Sequence, residues 1–347
     1  MNPYFWQLLL TAELPSTRRE SLLRRAEIAA GDTDWSHFFQ IAPELSPADR
    51  DRVRKVKPES ASEALAAGAR LLLRKDYPER ILQLRGAPPA LFTWGDSTCL
   101  KSPPIAIVGT RGATTYGKAA ARKFAEALST HGVTIVSGGA QGIDAAAHEG
   151  ALDAGGKTAC VMACGIDNIY PAAHRSLFER IRKEGCLVSQ FPAGWNPRAD
   201  SFVQRNATIA ALSDGVLVIE APESSGALIT ANRANEFGRN VYVVPGSIAT
   251  VSFRGSHALI REGATLVDHP DQILEELSIR PGLRLSADGQ ESKLRLKILS
   301  TIGADPMGAD KIAENCGLDP SSVLSELTML ELDGRVLRGP GGYVLAP

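Results

Sequence analysis

From residue 105 onward the chain alternates short apolar runs with stretches of helical periodicity, and few folds accommodate that rhythm. The runs cover residues 105–108, 133–137, 158–163, 186–191, 215–220, 241–244 and 265–267. Helical spacing covers 116–128, 143–154, 202–212, 227–237 and 270–277. Apolar runs without polar alternation are buried on both faces. Their alternation with helices implies right-handed βαβ units around a parallel sheet. The expected fold class is therefore α/β, with a Rossmann-like parallel sheet at the core. Ligands of such sheets sit beyond the carboxyl ends of the strands, so the turns after these runs are the places to search.

The flanks read differently. Residues 1–76 are expected to form a helical N-terminal domain, with apolar residues at helical spacing in Phe5, Trp6, Leu8 and Leu9 and again over 22–28. The basic stretch 49–57 reads as a solvated helix face, with phosphate contact as the alternative. Tyr77-Pro78 and Ala87-Pro88-Pro89 punctuate the entry into the sheet domain, expected over 77–278. A polar linker follows over 279–292, with Arg280-Pro281-Gly282 inside it. Three helical patterns (294–301, 309–316, 321–332) and a hairpin around Gly339-Pro340-Gly341-Gly342 then give a winged helix over 293–347. From 319 to 333 its third helix and flanks show Asp319, Glu326, Glu331 and Asp333, with no lysine or arginine. A major-groove reader needs cations or amides there, so a protein-contact or regulatory role is expected instead.

The net charge of −1 means that any nucleic-acid surface must be a local patch. The five cysteines are an odd number without a CxxC pair, which suits a reducing compartment. No apolar run reaches membrane-spanning length and no signal-peptide pattern opens the chain, so a cytoplasmic protein with no membrane contact is expected.

The first run opens into Gly109-Thr110-Arg111-Gly112, and 112–118 satisfies the GxxxxGK half of a phosphate loop. Ala119 stands where a magnesium-binding hydroxyl belongs, and Glu220, at the end of a later run, has no visible catalytic partner. Phosphate binding without hydrolysis is expected. The second run ends in Ser137-Gly138-Gly139-Ala140-Gln141-Gly142, a turn suited either to an anion or to tight helix–sheet packing. Asp144 and His148 lie four apart on one helix face, a spacing more often structural than catalytic. Cys160 and Cys164 have no neighbouring histidines and read as buried small hydrophobes. Tyr170 either stacks on a base or fills a gap. Arg205 is either a phosphate contact or a plain surface residue. Ser224-Ser225-Gly226 opens a third helix as an anion nest. Several nests along one edge suit a polymer of phosphates better than one mononucleotide. No catalytic residue, metal or cofactor is expected.

Read together, these stretches resemble the DprA/Smf family, the DNA-processing proteins of natural transformation. The resemblance rests on Val108-Gly109-Thr110-Arg111, on Ser137-Gly138 with 142–148, and on Gly165-Ile166-Asp167 with Ile169-Tyr170-Pro171. It continues in Arg205-Asn206, in 225–231 and in Val244-Pro245-Gly246-Ser247. It implies a homodimeric protein that binds single-stranded DNA, shields it and loads the RecA recombinase. By position, Arg111 would be the main DNA-contacting cation, with Ser137, Gly138, Gly142, Lys157, Arg205 and Asn206 in the same groove. Gly109, Thr110, Gln141, Asn168 and Ser225 complete the expected set. The chain departs from the pattern at Gly139 and Gln141, where larger residues are usual, at Asn168, and at Ala207, where a second arginine is common. The alternative is a nucleotide-binding or nucleotide-hydrolysing protein similar to the phosphoribohydrolases, but the stretch 224–232 lacks the acid of their PGGxGTxxE loop.

Overall fold

Pro104–Val108 (β3) is buried along its whole length, which places it at the centre of a sheet covered on both faces. The structure is a computed structural model. It describes residues 67–279 and 293–345, apart from 74–75, 83–87, 89, 280, 303–305, 333–334 and 340, together with a few residues between 46 and 64. The helical patterns expected over 1–45 and most of 49–57 lie outside the described residues, as does nearly all of the expected linker. Two compact units emerge, 1–270 and 271–347.

In the first unit, β3 is joined by Arg70–Leu73 (β1), Ala90–Gly95 (β2), Thr134–Ser137 (β4), Thr158–Met162 (β5), Cys186–Ser189 (β6), Gly215–Val218 (β7), Asn240–Val243 (β8) and Thr265–Leu266 (β9). Their spatial order is β1-β2-β6-β5-β4-β3-β7-β8-β9. All neighbours from β6 to β9 run parallel, while β2 pairs antiparallel with both β1 and β6. The helices are Thr115–Thr130 (α1), Ile143–Asp153 (α2), Arg175–Glu184 (α3), Ala199–Ala211 (α4), Gly226–Glu236 (α5) and Arg254–Arg261 (α6), and Pro270–Glu276 (α7) opens the second unit. Alternate residues of β5 divide between two core layers. Cys160 and Met162 join Leu152, Phe178 and Ile181, whereas Ala159 and Val161 join Ile209, Ala210 and Ala231. Each large aliphatic side chain buried this fully stabilises the fold by about 1.5–3 kcal/mol.

The sheet begins at Arg70, inside the segment expected to be a helical N-terminal domain. β1 reads Arg-Leu-Leu-Leu, and leucine favours helix when no partner strand is known. Its register against β2, Leu72 opposite Leu91, supplies the tertiary context that a sequence window lacks.

Strands β3 to β6 build outward in one direction and β7 to β9 in the other. The chain reverses between β3 and β7, where Ile105 lies opposite Gly215. Side-by-side strands whose connections leave in opposite directions leave a crevice at their carboxyl ends.

The second unit contains helices Lys293–Thr301 (α8), Ala309–Cys316 (α9) and Pro320–Leu332 (α10), and a hairpin of Val336–Gly339 (β10) with Gly342–Leu345 (β11). Ile298, Ile312, Val323, Leu327 and Val336 form its own core. This is the winged helix expected from the sequence. Among the described residues no helix is long and apolar enough to cross a membrane. All five cysteines are buried and unpaired; burial raises the Cys160 and Cys164 thiols, the latter to about 12.

Candidate functional site

The turn after β3 is held from two sides. Thr110 donates its N–H to the Glu220 carbonyl at 2.8 Å and accepts from Ile143 N at 3.3 Å. A Cβ on Gly109 would meet Ile143 Cγ1 at 2.4 Å. Gly142 has φ +84°, and a Cβ there would meet the Thr110 oxygen at 2.4 Å. These two glycines serve close packing between neighbouring turns rather than approach of an anion.

Nor is the N-terminus of α1 open to phosphate. Thr114 donates to one Glu220 carboxylate oxygen from both N (3.0 Å) and Oγ1 (2.7 Å), and Ser252 Oγ donates to the other oxygen at 2.5 Å. Glu220 is fully buried, and Gly117 must be glycine because a Cβ would lie 2.1 Å from its Oε2. An internal carboxylate thus takes the place that the half phosphate loop of 112–118 offers to a ligand. The expected phosphate nest at this helix is corrected accordingly.

The turn after β4 rests on Arg205, which is 5% exposed and not a surface residue. Its Nη1 donates to the carbonyls of Gly138 (2.5 Å) and Val161 (2.7 Å). A Cβ on Gly138 would sit 2.4 Å from that nitrogen, so the glycine makes room for the guanidinium. Buried Asp144 accepts from Ala140 N at 3.3 Å and supplies the nearby opposite charge. Burial is the largest influence on both groups. It raises the Asp144 carboxyl and lowers the Arg205 guanidinium, while their mutual attraction opposes each shift. An arginine stays charged through such a shift.

His148, one turn along α2, is completely buried. The Thr158 hydroxyl donates to the Ile135 carbonyl at 2.7 Å, so His148 Nδ1 carries the proton toward Thr158 Oγ1, also at 2.7 Å. Among the described residues its Nε2 has no partner. Burial, with the charge of Arg205 and then His174, lowers its pKa to about 3. This is a neutral core imidazole and not a base.

Beside a cavity of about 480 Å³ lined by Tyr116, Pro245, Ser247 and Phe253, two adjoining cavities open along the carboxyl ends of the strands. The larger, about 390 Å³, occupies the β3/β7 crevice and is lined by Gly109, Thr110, Asn206 and Ser225. The smaller, about 150 Å³, is lined by Gly138, Gln141, Tyr170 and Pro171. Arg111, Arg205 and Phe202 line both. Arg111 is exposed, and its guanidinium carbon lies 5.2 Å from the Phe202 ring centroid; that of Arg205 lies at 5.8 Å. Tyr170 meets Phe202 edge-on at 5.9 Å. Among the described residues no carboxylate forms an ion pair with Arg111.

Asn206 ties the two walls, accepting from Arg205 Nε (3.3 Å) and donating to the Gly226 carbonyl (3.2 Å). Ser225 caps α5 by accepting from Ala227 N at 3.2 Å. Three expected contacts fall elsewhere. Ser137 is fully buried and donates to the Ile107 carbonyl at 2.6 Å, binding β4 to β3. Asn168 lines neither cavity and donates to Trp195 O (3.4 Å) and Asn196 Oδ1 (3.2 Å). Lys157 precedes β5 and so lies at the opposite edge of the sheet, pairing with Asp96 at 3.3 Å and donating to Glu184 O at 3.1 Å. It does not share the groove. Phe202, the ring beneath Arg111, was visible in the sequence only as the start of a helix.

Comparison with known proteins fits this geometry. Residues 70–278 match the family of DNA recombination-mediator protein A, and 285–342 match the DprA winged helix domain. Protein Smf of Escherichia coli is 39% identical over 280 residues, 77% of this chain and 74% of that protein. The X-ray structure of DNA processing protein A from Streptococcus pneumoniae superposes with a TM-score of 0.70 at 33% identity, covering 80% of this chain and 98% of the other. A structure of DNA processing protein A from Helicobacter pylori, described by its single-stranded DNA binding mode, gives 0.56 at 30% identity over 61% and 96%. With both of its folded units matched in order, the chain belongs to the DprA/Smf family of DNA recombination-mediator proteins.

Proposed function

We propose that this protein binds single-stranded DNA along the carboxyl edge of its sheet, protects it without cleaving it, and delivers it to RecA in transformation and recombination. One observation carries the reading: Arg111, exposed and without a carboxylate partner among the described residues, lies over Phe202 at the mouth of the β3/β7 crevice. A guanidinium so placed offers a planar fork of donors to phosphate, and the adjoining ring offers a face to a base. The Helicobacter pylori relative, described as binding single-stranded DNA, supports the same choice of polymer. Binding without bond cleavage is supported by the two buried carboxylates beside the crevice. Glu220 has both oxygens engaged by protein donors, and Asp144 is held by a backbone amide beside Arg205.

The proposal includes a cytoplasmic homodimer. Exposed Ile248, Val251 and Leu266, the last on edge strand β9, supply apolar surface on the first unit that suits a second copy. Sedimentation of the Ile248→Asp, Val251→Asp double variant should shift mass toward monomer. The central test is affinity for oligonucleotides of different strandedness, length and salt. Affinity should favour single strands, rise with length and fall with salt. Equal affinity for a duplex and its separated strands, saturation by a mononucleotide, or release of adenine from AMP would overturn the reading. Faster RecA filament assembly on protein-coated single strands checks the delivery step.

A further inference from the structure

Beyond β6 the chain makes a second arginine-on-ring arrangement. Gly194, at φ +78°, donates its N–H to both Asp167 carboxylate oxygens at 2.8 and 2.9 Å. Gly165 N donates to the Trp195 carbonyl at 2.9 Å, so the turns after β5 and β6 are fixed to each other. The Trp195 indole stacks on buried Phe191 with centroids 5.7 Å apart and planes inclined by 17°. Its Nε1 donates to Ser201 Oγ at 3.1 Å, which satisfies the polar edge and sets the ring's rotation. Arg198 lies over this indole, 4.7 Å from the centroid to Cζ. It is exposed and, among the described residues, pairs with no carboxylate. The neighbouring Asp200 is engaged with Ser201 N at 2.9 Å.

This repeats the chemistry of Arg111 on Phe202 at the same edge of the sheet. Arg198 directly precedes α4 and Phe202 lies in its first turn, so one helix start positions both arrangements. Taking the site as the single-strand groove described above, we propose that Trp195 and Arg198 form an outlying contact for single-stranded nucleic acid, extending the footprint from the crevice across the end of β6. Along α4, Asn206, which donates to the Gly226 carbonyl in the crevice, lies eight residues from Arg198, about 12 Å at roughly 1.5 Å each. A single nucleotide does not reach that far, whereas an oligonucleotide does. The exposed guanidinium plane takes a base or phosphate, and the indole keeps it flat.

The test uses oligothymidylates from about 4 to about 16 nucleotides, the range of comparable single-strand sites. Wild-type affinity should rise with length, and Arg198→Glu and Trp195→Ala should each remove about tenfold from the longest ligand. The shortest ligand, held in the crevice, should bind all three proteins alike. Trp195 emission should be quenched by long ligands only, with that quench absent in Trp195→Phe. If wild-type binds and both variants match it at every length, this contact does not exist, while the crevice reading stands. If Trp195→Ala weakens short and long ligands equally, the turn merely supports the Phe202 pocket and the proposal falls. If wild-type binds no single strand at all, the crevice reading itself is lost.

Discussion

At Arg205 a permanent charge is held almost wholly inside the protein, fixed by two carbonyls and faced by Asp144, whereas Arg111 touches the same phenyl ring from the solvent side. Their substitutions should therefore report on different quantities. Arg205→Ala strands a buried carboxyl and two carbonyls, a loss of about 3–5 kcal/mol by analogy with broken buried pairs, read as a large fall in melting temperature. Arg111→Glu should leave the melting temperature nearly unchanged and weaken single-strand binding by about ten- to a hundredfold, with a shallower salt dependence. Affinity that falls only in step with lost folded protein would make Arg111 structural. His148 gives a pH signature. Its folded pKa of about 3 lies below the ordinary 6.5, so the unfolded chain binds the extra proton between those values. The stability this contributes is complete above pH 6.5 and is lost as pH falls toward 3, by up to about 1.4 kcal/mol per pH unit. Asp144, shifted upward, acts in the opposite sense over part of that range. The comparison is therefore wild type against His148→Leu, whose unfolding free energy should depend less steeply on pH.

Among the elements, α1 shows most clearly how a motif can mislead. Gly117 and Lys118 complete a phosphate-loop spacing, yet the helix start is filled by Glu220 from the end of the β7 run, 106 residues distant along the chain. No local window contains that partner. Gly117→Ala should destabilise the fold by about 1–3 kcal/mol because the added methyl collides with a buried carboxylate, and chemical denaturation measures it. Phosphate added at millimolar concentration should not rescue it. The parallel strands β3 to β9 and the helices α1, α2, α4 and α5 were legible because continuous apolar runs and amphipathic spacing need no knowledge of partners. β1 and β2 were not: β1 is leucine-rich, and both are defined by their antiparallel pairing. The same division runs through the site. Arg111 and its glycines are visible as a turn after a strand. The burial of Arg205 and Ser137 depends on partners distant in sequence, whereas Lys157 directly precedes the β5 run and its place at the far edge follows from that run's direction.

For the whole molecule, a net charge of −1 means that the binding edge works as a local feature of the first unit. The exposed face of α10 presents Ser321, Ser322, Leu324, Ser325, Thr328 and Glu331, without a cation. A chain ending near Leu277 should therefore keep most of its single-strand affinity; loss of nearly all of it would place the main contact in the winged helix. The crevice also has a history in time. Its walls belong to β3 and β7, and they meet only when Ile105 finds Gly215 across half of the sheet domain. Contacts so distant in sequence are slow to close, while α1, α2 and their neighbours form from nearby residues. In refolding from denaturant, helical signal should thus recover before the ability to hold DNA. The newly made chain would pass through a stage that is largely folded and still unable to engage its polymer.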